Sequence, residues 1–240
     1  MSGLVTAAAL ATSVVLAVAL LTTNLNAQRK RRQLEERLAE AERAAHTDPL
    51  TGMSNRAGLH RELEKQRELA RPGDHIAVIL LDLDGLKRTN DRYGHDFGDS
   101  VIVEVSQRIE RVAGHAACTA RLGGDEFVVL LHAETSNVKA TRDAELLAER
   151  MCARIARSEL VSGMPIRCTA SAGVAAMPAH RMHHLLTAAD KAMYRAKSSR
   201  AGTYRYHPLD DADERIPRRR SPLAPVEDGP STGELNEAQA

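Results

Sequence analysis

Two pairs of acidic residues each adjoin an apolar run, an arrangement that suits metal-dependent chemistry on phosphates. In the first pair, Asp125 and Glu126 follow Gly123 and Gly124 and precede apolar residues 127–131. The pattern predicts a β-hairpin with the carboxylates at its tip, where a Gly-Gly turn permits positive φ and close approach of a ligand. The alternative is an ordinary hairpin turn, in which Gly and Asp are common for backbone reasons alone.

The second pair, Asp82 and Asp84, ends the apolar run 79–83. Residues i and i+2 of a strand share one face. Like charges at the end of a buried strand repel each other unless a cation lies between them, so Asp82 together with Asp125 predicts a site for Mg²⁺ or Mn²⁺. A solvated strand end is the alternative, and it is disfavoured because both acidic pairs adjoin hydrophobic strands rather than polar loops.

The hairpin tip spells Gly-Gly-Asp-Glu-Phe, and it is one of five ordered motifs that resemble a single family. The motifs occupy residues 48–56, 82–99, 123–127, 171–174 and 189–197. They resemble the GGDEF domains, the diguanylate cyclases, and the resemblance covers residues 46–206. The sequence is therefore identified as a GGDEF domain with flanking segments.

Hydrophobic periodicity predicts alternating helices and strands across this region. Helices are predicted at 55–70, 99–112, 141–157 and 182–197, a short helix or turn at 87–93, and strands at 76–81, in the central hairpin, at 167–174 and at 203–206. This order suits an α/β (α+β) sandwich with a mostly antiparallel central sheet covered by helices. The resemblance implies the ferredoxin-like palm shared by nucleotidyl cyclases and polymerases.

The resemblance also implies a reaction. A diguanylate cyclase joins two GTP molecules into cyclic di-GMP, each 3′-hydroxyl attacking the other's α-phosphate while pyrophosphate leaves. Two domains must face each other, so a homodimer is expected. The chemistry requires Mg²⁺, cationic groups on the phosphates and an acceptor for the hydroxyl proton.

Individual roles follow from matching positions in the motifs. The resemblance implies that Asp82, Asp125 and the backbone carbonyl of Leu83 bind the metal. It implies that Glu126 either binds the metal or activates the attacking hydroxyl. A further set is implied in substrate binding: Gly123, Gly124, Asn90, Asp99, Lys87, Lys197 and Arg200. Asn90 and Asp99 would recognise guanine, with helix or turn capping as the alternative, while Asp84 is expected to be structural.

The sequence departs from the family pattern in several places. Gly85, Leu86 and Leu122 stand where aromatic residues are usual, and Arg200 lies one residue earlier than the phosphate-binding arginine. A common product-inhibition site carries an arginine and an aspartate where this chain has Gly114 and Ala117, and neither supplies an arginine fork or a carboxylate. Weak product inhibition is expected. Arg108 and Arg111 lie nearby, and a solvated helix face is their expected role.

The N-terminal segment is expected to anchor the domain. Residues 4–21 carry no charge and are nearly long enough to cross a hydrocarbon core as a helix. The basic residues 29–32 follow this run, whereas a cleaved signal peptide carries its positive charge before the apolar run. The pattern predicts a single-pass helix at the inner or plasma membrane with a cytoplasmic domain. Leu34 and Leu38 begin a short heptad seam. The expected organisation is a membrane helix (1–27), a helical or coiled-coil linker (28–45), the cyclase domain (46–207) and a disordered tail (208–240).

Composition limits the alternatives. The chain carries 33 basic and 32 acidic residues and only 2% aromatic residues, which disfavours a nucleic-acid-binding polymerase palm. Cys118, Cys152 and Cys168 have no paired spacing, so free thiols are expected. A catalytically silent GGDEF module acting as a nucleotide-responsive or scaffolding protein is the other functional interpretation.

Overall fold

The computed structural model describes residues 2–114, 117–132, 134–161, 163–199 and 202–207, with only the backbone described for residues 2–19 and 117. The chain divides after Ala45 into two units. The first unit belongs to one long helix, α1 (Ser2–His46), in which Leu34 and Leu38 are exposed.

The predicted membrane segment, residues 4–21, lies almost entirely outside the part of the chain whose side chains are described. Within the described part, no helix combines the length and the apolar character needed to cross a membrane. The predicted tail, residues 208–240, and Arg200 also lie outside the described residues.

The second unit contains the remaining helices and all the strands described. The helices are α2 (Arg56–Leu69), α3 (Leu86–Tyr93), α4 (His95–Ala113), α5 (Asn137–Ile155) and α6 (Leu185–Ser199), with a 3₁₀ turn at Ala179–His184. The strands are β1 (His75–Asp84), β2 (Ala117–Gly123), β3 (Glu126–Leu131), β4 (Glu159–Val161), β5 (Met164–Ile166), β6 (Thr169–Pro178) and β7 (Thr203–Arg205).

Five of these strands form one mixed sheet in the order β2-β3-β1-β6-β7. The β6–β7 pair is parallel and the other neighbouring pairs are antiparallel. Strands β4 and β5 form a separate hairpin that the sequence interpretation missed. Its turn includes Gly163, whose φ is 78°.

Strand β1 is buried on both faces, which explains its nearly continuous apolar run. Ile79 and Leu81 belong to one hydrophobic cluster together with residues of α4 and α5. Val78 and Leu80 belong to a second cluster with residues of α2 and α6. Because side chains alternate along a strand, the even-numbered Asp82 lies on the α6 face.

Two predicted boundaries differ in ways that affect the site. Strand β1 extends to Asp84 instead of ending at residue 81, because Asp82 still pairs with Glu126 on one side and Ser171 on the other. Helix α4 begins at His95 rather than at residue 99, so Asp99 lies inside the helix.

Helix α6 lies unusually close to the sheet at Gly173 of β6. A Cβ atom built on Gly173 would fall 2.1 Å from the carbonyl oxygen of Ala189 and 2.2 Å from the backbone nitrogen of Met193. Only glycine permits this approach without displacing the helix. Because Lys197 follows Met193 by one turn, it lies on the same face of α6 as Met193.

Candidate active site

The predicted acidic residues lie together at one end of the central sheet. Asp82 of β1 is directly opposite Glu126 of β3, so their side chains project from the same face with Cβ atoms about 5 Å apart. The backbone N–H of Leu83 donates to the carbonyl oxygen of Asp125 at 3.1 Å. The hairpin tip is thereby fixed to the end of β1.

Asp82 is the most deeply buried of these acids, with 5% of its surface exposed. Burial raises the pKa of its carboxyl group, and the charges of Asp125 and Glu126 raise it further, while Lys197 opposes the shift. Nζ of Lys197 lies 2.6 Å from Oδ1 of Asp82. Lys197 and Asp82 therefore form a close ion pair at the site.

The donor types suit a hard divalent cation. Asp82 and Asp125 supply carboxylate oxygens and Leu83 a carbonyl oxygen, which are the ligand types that Mg²⁺ prefers, and Nζ of Lys197 lies against Oδ1 of Asp82. However, no group of three His, Cys, Asp or Glu side chains within the described ranges is arranged to hold a metal ion. Mg²⁺ commonly takes substrate phosphates and water as its remaining ligands. Metal binding at Asp82, Leu83, Asp125 and Glu126 therefore stays a prediction.

Asp84 has the structural role expected for it. Its Oδ2 accepts a hydrogen bond from Oγ1 of Thr169 at 2.8 Å, and its Oδ1 accepts one from Oγ of Ser171 at 3.1 Å. Both donors are on β6, the strand beside β1. Asp84 therefore ties the two strand ends together on the face that also carries Asp82.

The hairpin tip is held by Arg121, whose role the sequence interpretation missed. Its Nε and Nη2 atoms donate to the carbonyl oxygen of Gly124 at 3.1 and 2.9 Å. Its Nη1 atom donates to both carboxylate oxygens of Asp48 at 3.1 and 3.2 Å. Gly123 and Gly124 have φ angles of 137° and 56°, which confirms the predicted need for glycine there. The sequence feature that could have indicated this role is the position of Arg121, two residues before the glycine pair.

Asp48 is itself held in a tight turn. Its Oδ1 accepts hydrogen bonds from the backbone N–H and the hydroxyl of Thr51 at 2.9 and 2.7 Å. Although burial raises the pKa of Asp48, the hydrogen bonds from Thr51 and the charge of Arg121 bring it below its ordinary value. The segment then runs beside β2, where the N–H of Arg121 donates to the carbonyl oxygen of Ser54 at 2.8 Å.

The two residues predicted to recognise guanine lie on the consecutive helices α3 and α4. Asn90 is half-buried near the end of α3, and Asp99 is exposed on α4. Gly94, with φ of 87°, lies between the two helices. Neither residue is a helix N-cap, because the N-caps of α3 and α4 are Gly85 and Gly94. We call Asn90, Gly98 and Asp99 the recognition corner.

The structure also places Lys87, two of the positions that depart from the family pattern, and the three cysteines. Lys87 is exposed in the first turn of α3. Leu86 is buried in the cluster with α4 and α5, and Leu122 packs against the cluster on the α6 face, so both departures from an aromatic residue are used in packing. All three cysteines are free thiols, as expected.

Arg108 is not on a solvated helix face, and that prediction was wrong. It is 2% exposed, and its Nη1 atom donates to the carbonyl oxygen of Ile155 at the end of α5 at 2.8 Å. It also forms ion pairs with Glu104 at 2.9 Å and Glu159 at 3.2 Å. Arg111 lies on the exposed side and pairs with Glu104 at 3.3 Å.

Comparison with known proteins places this geometry in a family. Residues 45–203 match the family described as "Diguanylate cyclase, GGDEF domain". The chain is 38% identical over 203 residues to the bifunctional diguanylate cyclase/cyclic di-GMP phosphodiesterase MucR of Pseudomonas aeruginosa, covering 80% of this chain and 29% of MucR. It is 36% identical over 182 residues to diguanylate cyclase TpbB of the same species, covering 75% of this chain and 41% of TpbB.

A solved structure agrees with these sequence matches. The coiled coil and GGDEF domain of DgcB from Caulobacter crescentus, in complex with c-di-GMP, superimposes with a TM-score of 0.69 at 27% identity, covering 78% of this chain and 98% of that one. The chain spans less than half the length of the curated relatives MucR and TpbB. Across most of its own length it carries the fold and the signature residues, and it belongs to the GGDEF family of diguanylate cyclase domains.

Proposed function

We propose that the chain is an active diguanylate cyclase, which condenses two GTP molecules into cyclic di-GMP and releases two pyrophosphates. The observation that carries the proposal is the convergence of Asp82, Asp125 and Glu126 at one sheet end, with Lys197 paired to Asp82. Family membership supports the same reaction. The presence of all three acids at this edge favours catalysis over an inactive GGDEF module.

Each residue of this edge has a proposed role. Asp82, Asp125 and the carbonyl oxygen of Leu83 would hold Mg²⁺ or Mn²⁺, which when bound polarises phosphate oxygens and neutralises their charge. Glu126 accepts the proton of the attacking 3′-hydroxyl or completes the metal site. Lys197 and Lys87 offer ammonium groups to the phosphates, and Arg200 is proposed to do the same from its shifted position.

The recognition corner is proposed to select guanine. Guanine presents N1–H and amino donors together with the O6 acceptor, whereas adenine presents a different pattern. The Asp99 carboxylate can accept from the two donors, and the Asn90 carboxamide can both donate and accept. Gly123 and Gly124 leave the hairpin backbone open to close approach of the nucleotide.

Catalysis is proposed to take place between two copies of the chain. One domain supplies one GTP, and each hydroxyl attacks the nucleotide held by the other domain, so both sites must face each other. Leu34 and Leu38 on α1 are 56% and 61% exposed, which supports association of two copies through this helix.

The domain is proposed to work at the cytoplasmic face of a membrane. The support is the uncharged run 4–21 followed by basic residues 29–32. A cytoplasm-active reporter fused after Ala240 should be active, and the same fusion to an export-dependent reporter should be inactive. The reverse pair of results would contradict the proposed location, because GTP is cytoplasmic.

The decisive experiment is GTP turnover by the full chain purified in mild detergent. Cyclic di-GMP and pyrophosphate should form in a ratio of about one to two when Mg²⁺ is present, with the product identified by mass. Glu126→Gln and Asp125→Asn should each abolish synthesis while the melting temperature stays close to that of the wild type, because both residues lie at a hairpin tip. GTP binding without any product would instead identify a nucleotide-responsive module.

A further inference from the structure

The contact between Gly98 and Asn90 leaves no space for a side chain at position 98. A Cβ atom built on Gly98 would fall 1.7 Å from Oδ1 of Asn90 and 2.9 Å from its Cγ. Both distances are shorter than any van der Waals contact. With Asn90 placed as it is, glycine is therefore the residue that fits at position 98.

Packing rather than hydrogen bonding sets the orientation of the Asn90 carboxamide. Its Oδ1 atom is buried and has no hydrogen-bond partner among the described residues. A buried amide oxygen is ordinarily oriented by the donor it accepts from. Here the surface that limits its position is the bare Cα of Gly98.

Gly98 also links the two polar members of the recognition corner. It immediately precedes Asp99 in α4, and it contacts Asn90 from α3. A displacement of the Asn90 side chain at Gly98 would therefore change its spacing from the Asp99 carboxylate. The local helix gains nothing from this glycine, since alanine is the better helix former.

We propose that Gly98 is a specificity-determining positioning residue, whose missing side chain holds the Asn90 carboxamide at the distance from Asp99 that recognises a guanine base. The inference rests on the proposed function, because it assumes a guanine nucleotide as the substrate. It assigns the selection of the base to a residue that need not touch the base.

The experiment compares nucleotide affinity in four forms of the full chain: wild type, G98A, N90A and N90A/G98A. Binding of GTP, ITP and ATP is measured by displacement of a fluorescent GTP analogue, which reports recognition independently of turnover. ITP lacks the 2-amino group of guanine but keeps N1–H and O6. G98A should weaken GTP binding about tenfold, the effect of one lost hydrogen bond, while ATP binding stays unchanged.

The double variant tests whether Gly98 acts through Asn90. N90A/G98A should bind GTP no more weakly than N90A, because the displaced group is already gone. Additive losses would overturn the inference, and so would wild-type selectivity in G98A. Equal wild-type affinity for GTP and ATP would overturn both the inference and the proposed substrate, so the two failures are distinguishable.

Thermal unfolding keeps the test decisive if G98A folds poorly. The three atoms nearest the built Cβ all belong to Asn90, so removing the Asn90 side chain should restore the melting temperature in N90A/G98A. Recovery would support the contact. A double variant as unstable as G98A would overturn the inference, because position 98 would then serve packing elsewhere.

Discussion

Nζ of Lys197, in the last turn of α6, lies 2.6 Å from Oδ1 of Asp82 near the end of β1. Lys197 is the residue expected to bind the substrate phosphates, and Asp82 is expected to bind the metal ion. Two of the three carboxylates at this edge belong to residues directly opposite each other across the ladder, Asp82 and Glu126, and the charge of Glu126 disfavours ionisation of Asp82. A cation beside Asp82 offsets part of that repulsion.

Asp82 is predicted to lower the free energy of unfolding at neutral pH while being required for catalysis. Its pKa is raised, so the folded state binds this proton more tightly than the unfolded state does, and stability declines as pH rises above the ordinary value of 3.8. Asp82→Asn should therefore increase the free energy of unfolding at pH 7 but not below pH ~3, where the wild-type carboxyl group is protonated in both states. Urea unfolding across this range measures the difference, and cyclase activity should fall at least about a thousandfold.

Asp84 provides the matched control, because it lies two residues away on the same strand face. Asp84→Ala loses the hydrogen bonds from Thr169 and Ser171 and should destabilise the fold by about 1 kcal/mol. Opposite signs for the Asp82 and Asp84 variants are the expected result. A loss of stability in Asp82→Asn at pH 7 would contradict the interpretation.

Gly173→Ala is predicted to displace α6 and with it Lys197. The added methyl group would meet backbone atoms of Ala189 and Met193, which cannot rotate away. Overpacking of this kind costs about 1–3 kcal/mol. Chemical denaturation measures that loss, and turnover at a temperature where the variant remains folded should still fall, because Lys197 no longer meets Asp82. Wild-type stability would show that α6 tolerates the shift.

Much of the site could be predicted because its signals are local in sequence. The alternation of β1 placed Asp82 and Asp84 on one face, and the structure confirms this. The glycine pair predicted positive φ at the hairpin tip, which is also confirmed. Short-range backbone rules were sufficient in both cases.

What could not be predicted depends on contacts between distant parts of the chain. Arg121 and Asp48 are 73 positions apart. A single sequence gives no indication that two such distant residues form an ion pair. Arg108 looked like a surface residue of an amphipathic helix, but the end of α5 covers it. The contact of Gly98 with Asn90 likewise follows from the packing of α3 against α4, and glycine in a helix gives only a weak sign of it.

The Asp48–Arg121 ion pair is predicted to stabilise the fold and the hairpin tip together. Both side chains are largely buried, at 14% and 11% exposed, so Asp48→Asn should cost about 1–2 kcal/mol at pH 7. Because the pKa of Asp48 is lowered, this contribution is present above pH 3.8 and is lost as pH falls through the folded-state value. Turnover should fall about ten- to hundredfold, since the tip carries Asp125 and Glu126.

An exposed ion pair serves as the control for this variant. Arg67 and Glu64 lie 2.7 Å apart on α2 with side chains 55% and 45% exposed. Glu64→Gln should change the free energy of unfolding by less than about 0.5 kcal/mol, because solvent screens the pair. Similar losses in Asp48→Asn and Glu64→Gln would mean that burial of the Asp48–Arg121 pair contributes nothing.

Product inhibition is predicted to be weak and to be overcome by GTP. Gly114 has no side chain to bind a phosphate of the product, and Arg108, one of two nearby arginines, already binds Ile155, Glu104 and Glu159. Initial rates at rising cyclic di-GMP should therefore show competition with GTP, as expected when product and substrate share one pocket. Noncompetitive inhibition at low product concentration would reveal a separate site. Arg111→Ala would then be the first variant to measure, because Arg111 is 54% exposed and lies on the same helix.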